Sequence, residues 1–212
     1  MSRVLPVIGL ALLVGTSSHL AGPVFAAGER EAVADTSVDK RILVFLAARD
    51  FDFREYRGTT GYLARHGLRI SVASTDTSAQ ATNDSVISPD LRLGTLDPTR
   101  YAGLVLIGGV GSVLFWDDSA ALQMVRSFAS DPQHVIGAIG LGPIMLAKAD
   151  LLKGRAAAVY NDPRAAKMLE QAGAHYRYEQ VVTDGNFITA SSSDAAEQFA
   201  RAFERRLQEL GD

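Results

Sequence analysis

The sequence predicts an α/β protein in which a mostly parallel sheet carries helices on both faces. Two observations lead there. Strand-like and helix-like stretches alternate along the chain, the pattern of parallel strands joined by crossover helices. The strand-like stretches, such as Arg41-Ile-Leu-Val-Phe-Leu-Ala47 and Leu104-Val-Leu-Ile107, are continuous apolar runs, as strands buried on both faces require. A third observation locates a site. From His134 to Ala147 the chain reads as a buried strand (Val135 to Ile139), a tight turn (Gly140-Leu141-Gly142) and a helix opening at Pro143. Such an elbow lifts the residue at its tip to the carboxyl edge of the sheet, where nucleophiles of α/β enzymes stand. The tip here is Gly140, which has no side chain to react with.

In chain order, Arg41 to Ala47 is the first strand, Arg49 to Phe53 a polar and aromatic loop, and Glu55 to His66 a helix stopped by Gly67. Leu68 to Ala73 is the second strand. Thr75 to Asp84, rich in Thr, Ser, Asp and Asn, reads as a loop. Val86 to Leu96 holds a short hairpin interrupted by Pro89. Leu104 to Ile107 ends in Gly108-Gly109-Val110-Gly111, and Ser119 caps a helix reaching Ala129. Beyond the elbow, Lys153-Gly154 turns the chain into a strand from Ala156 to Tyr160. Pro163 to Gln171 is a helix with proline in its first turn and Gly173 past its end. Tyr176 to Val182 and Asn186 to Ala190 form two strands joined through Thr183-Asp184-Gly185. Asp194 caps a last amphipathic helix, Ala195 to Leu210. Sites in such sheets form beyond the carboxyl ends of the strands. That rule gathers the Asp50 to Glu55 loop, Gly108 to Gly111, the elbow and Tyr160-Asn161 around one pocket.

The 212 residues, 47% hydrophobic and 21% charged, suit one domain with a sizeable core. A net charge of -3 with no basic block argues against a nucleic-acid partner. The chain has no cysteine, which excludes disulfides, thiolate chemistry and thiolate metal sites. Arg3, the apolar run Val4 to Val14 and the small-residue site at Val24-Phe25-Ala26 have the layout of a secretory signal peptide, residues 1–26. The run is too short for a comfortable membrane span, so no membrane association is expected once it is cleaved. Residues 27–39 read as a flexible leader and 40–212 as the folded domain. The expected location is periplasmic or secreted.

From Lys40 to Leu210 the chain resembles the DJ-1/PfpI superfamily, relatives of the class I glutamine amidotransferases. The resemblance rests on Lys40-Arg-Ile-Leu-Val-Phe-Leu-Ala47, on Glu55 opening the first helix and on Ala64-Arg-His-Gly67 closing it. Val86-Ile-Ser-Pro-Asp90 and Tyr101-Ala-Gly-Leu-Val-Leu-Ile-Gly-Gly109 follow. The elbow Ala138-Ile-Gly-Leu-Gly-Pro143, Leu151-Leu-Lys-Gly-Arg155 and Asp184-Gly-Asn-Phe-Ile-Thr-Ala190 complete it. It implies a flavodoxin-like three-layer α/β/α sandwich, and commonly a homodimer. The family elbow usually reads Ala-Ile-Cys-His/Ala-Gly-Pro, so Gly140 takes the cysteine position and Leu141 the next. Amidase, protease, deglycase and glyoxalase III activities of the family depend on that thiolate. The glutamate that hydrogen-bonds it in relatives survives as Glu55. Where relatives often place a histidine or tyrosine after the following strand, this chain has Tyr160-Asn161.

Glu55 is accordingly the candidate catalytic residue, a pocket carboxyl able to act as acid or base, against the simpler reading of a glutamate favoured by a helix dipole. The resemblance implies a binding set of Gly108, Gly109, Gly140, Leu141, Tyr160 and Asn161. In it the amides of Gly108, Gly109 and Leu141 face the substrate as an oxyanion hole. Ser112 and Ser191-Ser-Ser193 are weaker nucleophile candidates, because His66, His134 and His175 are not placed to activate them. Those scattered histidines do not make a metal site, and no cofactor is expected. Asp50, Asp52, Arg49 and Arg54 around Phe51 and Phe53 form either a pocket rim or a solvated loop. Trp116 reads as core or as a dimer contact. Three functions follow: a non-catalytic binder of a small polar metabolite; a cysteine-independent hydrolase or lyase in which Glu55 activates a water in the room left by Gly140; or a structural or chaperone-like dimer whose pocket is filled by Leu141, Met145 and Tyr160.

Overall fold

This computed structural model describes residues 41–94 and 96–211. The expected signal peptide and leader lie outside the described residues. The central sheet has seven strands. β1 (Arg41–Phe45), β3 (Arg69–Ser74), β7 (Gly103–Leu106) and β8 (Val135–Ile139) are the apolar runs of the sequence, and β12 (Phe187–Ala190) lies parallel beside β8. With β6 (Leu91–Arg92) and β11 (Val181–Asp184) at the edges, the order is β11-β12-β8-β7-β1-β3-β6. All neighbours are parallel except the β11–β12 pair. Two small sheets flank it: β2 (Arg49–Phe51), β4 (Ala79–Ala81) and β5 (Val86–Ile87) in one, β9 (Ala156–Ala157) and β10 (His175–Tyr176) in the other.

Helices α1 (Phe53–Arg65) and α5 (Ala196–Gly211) pack together on one face of the sheet. Their approach depends on small residues. A Cβ on Gly58 would press on Ala196 Cβ at 2.7 Å, and one on Gly137 would meet the Phe199 and Phe203 rings. The α2 (Ser119–Ala129) and α3 (Pro143–Lys148) helices cover the other face, with α4 (Pro163–Gln171) packed on α3. This is the three-layer α/β/α, flavodoxin-like architecture the sequence predicts.

Several local readings change. Residues 49–53 and 75–84 are not plain loops, since each contributes a strand to the β2-β4-β5 sheet. The expected hairpin between Val86 and Leu96 does not form. Val86–Ile87 pairs with β4, while Leu91–Arg92 joins the edge of the main sheet. Pro89, which has no N–H to give a ladder, separates them, and Asp90 ties the crossing chain to Val72 through both its backbone and its carboxylate. The Tyr176 to Val182 strand is broken, its start pairing with β9 and its end with β12. Asp184 stays in the ladder opposite Phe187, so the turn is Gly185-Asn186, with Gly185 at φ +60.

Two expected helix caps and the start of α1 differ from the sequence expectation. Asp118, not Ser119, accepts the Ala121 N–H at the start of α2. A 3-10 turn over Ser193–Ala195 precedes α5, and Asp194 turns outward to pair with Arg54 at 2.6 Å. Asp52 caps α1 by accepting from the backbone N–H groups of Arg54 and Glu55, so Glu55 is the third helical residue rather than the first.

Candidate functional site: a sealed elbow beside an open cleft

The position of Glu55 follows from how α1 begins. Asp52-Phe-Arg-Glu55 has the spacing of a capping box, in which the fourth residue reaches back to the cap's own N–H. Here the Asp52 N–H donates instead to the Gly108 carbonyl at 3.1 Å. The Glu55 carboxyl is thereby released, and its Oε2 accepts the Gly108 N–H at 2.8 Å. Both backbone groups of Gly108, at the end of the chain leaving β7, are thus held by the first turn of α1.

The elbow closes over this pair. Gly140 has φ +62, a left-handed conformation that glycine adopts without penalty. A Cβ on Gly140 would overlap Glu55 Oε1, so the carboxyl fills the space a side chain at the elbow tip would need. Gly108 is equally confined, since a Cβ there would stand 2.6 Å from Leu141 N and 2.8 Å from Glu55 Oε2. Gly109, at φ +96, packs against the backbone of Asp50, Phe51 and Asp52. Glu55 is left 3% exposed. Burial, reinforced by the nearby Asp52 carboxylate and opposed by the Gly108 hydrogen bond, pushes its pKa from 4.5 up to about 8. The carboxyl is therefore protonated at neutral pH.

The structure brings Glu55, Gly108, Gly109, Gly140 and Leu141 together, but Tyr160 and Asn161 belong to a different space. Tyr160 N–H donates to the Gly140 carbonyl at 2.8 Å, which ties the two regions edge to edge. Tyr160 and Asn161 then line an open cleft of about 330 Å³ with Tyr176, Tyr178, Ser191 and Ser192, among others; neither Glu55 nor the three glycines contribute to its walls. The single pocket expected from the sequence is therefore divided in two. Tyr176 and Tyr178 carry no motif. Their one signal is spacing: residues two apart in an extended chain point to the same side.

The remaining candidates are engaged elsewhere. Ser112 Oγ donates to the Gly109 carbonyl at 2.8 Å and is buried. His66 stacks on Tyr62 and bonds the Tyr62 carbonyl, and His134 is buried against the Phe128 carbonyl. Arg54 is held by Asp194, Phe51 is fully buried, and Arg49 and Asp50 are exposed. Met145 is core, Leu141 is half-buried and Tyr160 is 50% exposed, so those three do not together seal a cavity. Trp116 packs against the core with its Nε1 unpartnered. Among the described residues, no group of three or more His, Cys, Asp or Glu could hold a metal ion, and no helix is long and apolar enough to cross a membrane.

This architecture has close counterparts. An uncharacterized protein of Methanocaldococcus jannaschii is 34% identical over 162 residues, 75% of this chain and 78% of the relative. The crystal structure of a ThiJ/PfpI domain protein from Brachyspira murdochii superposes with a TM-score of 0.77 at 24% identity, over 80% of this chain and 97% of that one. Drosophila melanogaster DJ-1beta matches with a TM-score of 0.67 at 28% identity, over 82% and 96% of the two chains. The model of the DJ-1/PfpI family matches residues 40–205, and with the elbow, the glutamate and the sheet order already in place, the chain belongs to the DJ-1/PfpI family.

Proposed function

We propose that this protein binds a small polar metabolite at the carboxyl edge of its sheet without transforming it. One observation carries the reading: the Glu55 carboxyl occupies the space at Gly140 where the family's nucleophile would begin, and takes the Gly108 N–H for itself. A charge developing on a substrate would find no attacking atom at the elbow tip and one oxyanion donor already engaged. The adjoining cleft, by contrast, is open and lined by hydroxyl, amide and aromatic groups, the mixture expected of a site that fixes a small polar molecule.

A second reading has one observation in its favour. A carboxyl with a pKa of about 8 is matched to acid–base work near neutral pH. It requires Glu55 to leave Gly108 and let water reach the elbow, because the room at Gly140 is filled by the carboxyl itself. One experiment separates the readings. The purified protein and Glu55→Gln are assayed on methylglyoxal, simple amides and activated esters. The expected result is no saturable turnover by either protein. Turnover that vanishes in Glu55→Gln overturns the binding reading and installs Glu55 as acid or base.

A further inference from the structure

The cleft beside the elbow has a charge and a shape that specify its ligand further than polarity alone. Tyr176 pairs with Ala157, and the Arg177 N–H donates to the Ala157 carbonyl at 2.8 Å, so the chain stays extended through Tyr178. Tyr176 and Tyr178 therefore stand on one side of that segment and form one wall. Asn161 Nδ2 donates to the Tyr178 hydroxyl at 3.2 Å, which steadies a ring that is 77% exposed. Tyr160 lines the same cleft. Tyr160 and Tyr178 leave ring surface open to the cleft, whereas Tyr176 is partly buried and packed against the core.

The electrostatics of this cleft are one-sided. Two carboxylates line it, Glu179 and Asp194. Arg54 is already joined to Asp194 at 2.6 Å, and no cationic side chain lies in the walls. Glu179 has no ion-pair partner among the described residues. The amide of Asn161 gives its N–H to Tyr178 and keeps its oxygen as an acceptor. A ligand anion would meet uncompensated negative charge here. A ligand cation would meet aromatic faces, an unpaired carboxylate and a ready amide oxygen, the combination that recognises ammonium groups.

We infer that the cleft between Tyr160, Tyr176 and Tyr178 is a binding site for a small organic ammonium ion, with Glu179 as its counter-charge. This rests on the binding reading given above and names its ligand class. The volume of about 330 Å³ sits at the lower end of small-molecule sites, which suits an amine of a few carbons rather than a large cofactor.

Calorimetric titration of the purified protein tests it with four probes at matched ionic strength: n-butylammonium, tetramethylammonium, the neutral isostere n-butanol, and D-glucose. Saturable binding of the two ammonium ions is expected, with neither neutral probe competing. Glu179→Gln and Tyr160→Ala should each weaken it about tenfold. Both side chains are on the surface, so their melting temperatures should match that of the parent, which excludes unfolding as the cause. Ammonium ions that fail to saturate, equal binding of n-butanol or glucose, or full affinity in both variants would overturn the inference. The two readings fail separately. Turnover lost in Glu55→Gln removes the non-catalytic reading, whereas ammonium ions that do not bind remove the ligand assignment whatever Glu55 does.

Discussion

The elbow and the cleft lie on the same edge of the sheet and share a hydrogen bond from Tyr160 to Gly140, yet they are built on opposite terms. The elbow is a closed contact between three backbone segments and one buried acid, with no room for a foreign atom. The cleft is an open space lined by tyrosines, with a carboxylate, Glu179, that has no ion-pair partner among the described residues. The comparison teaches where function survives in a scaffold whose elbow tip is bare. A groove that excludes solvent by satisfying its own donors has nothing left to offer a ligand, while its wet neighbour still does.

The largest effect that would sharpen this contrast is the response of stability to pH. A carboxyl with a native pKa of about 8 holds its proton more tightly when folded than its ordinary value of 4.5 allows when unfolded. As pH rises the unfolded chain releases the proton first. The stabilisation is therefore full below about 4.5 and is lost as pH passes through about 8, a change of up to about 4–5 kcal/mol. Urea denaturation between pH 4.5 and 9 should show this decline in the parent and a flatter profile in Glu55→Gln. An equal decline in both would mean that the carboxyl is not sealed at all.

Next comes the elbow tip. Gly140→Ala forces a Cβ into a left-handed residue and onto Glu55 Oε1, at about 2–4 kcal/mol. Adding Glu55→Ala should recover the part due to overlap and leave only backbone strain, which a double-mutant cycle in urea reads directly. Additive losses would break the claim that the acid fills the place of the missing side chain. The smallest effect is at the cap. Asp52→Ala removes the acceptor for two α1 amides at about 1 kcal/mol. It also removes one of the charges holding the Glu55 pKa up, so the midpoint of the pH decline should move down.

Much of the frame was legible from local pattern. The runs at Arg41, Leu104 and Val135 are strands in the parallel order expected, because a strand buried on both faces needs a continuous apolar run wherever it lies in the chain. Short elements were less legible. Ala79–Ala81 is a strand because Arg49–Phe51, distant in the chain, pairs with it, and nothing in its own composition announces it, while the strand expected at Val86 forms with β4 rather than with Leu91. Asp52 was read as part of a charged loop although Asp52-Phe-Arg-Glu55 carries the spacing of a capping box, and the diversion of Glu55 from the cap to Gly108, across 53 residues, had no local signal at all.

By itself the sequence determined the alternation of layers, the bare tip at Gly140, the absence of any cysteine and Glu55 as the acid to examine. Those properties belong to residue identity and short-range periodicity. The tertiary structure decided what the acid does. It aimed the carboxyl at Gly108, pressed it into the space over Gly140, and split the expected single pocket into a sealed half and an open half with its own tyrosines. Direction, enclosure and counter-charge depend on which distant segments meet, and that is set by packing of the whole sheet rather than by any stretch of the chain.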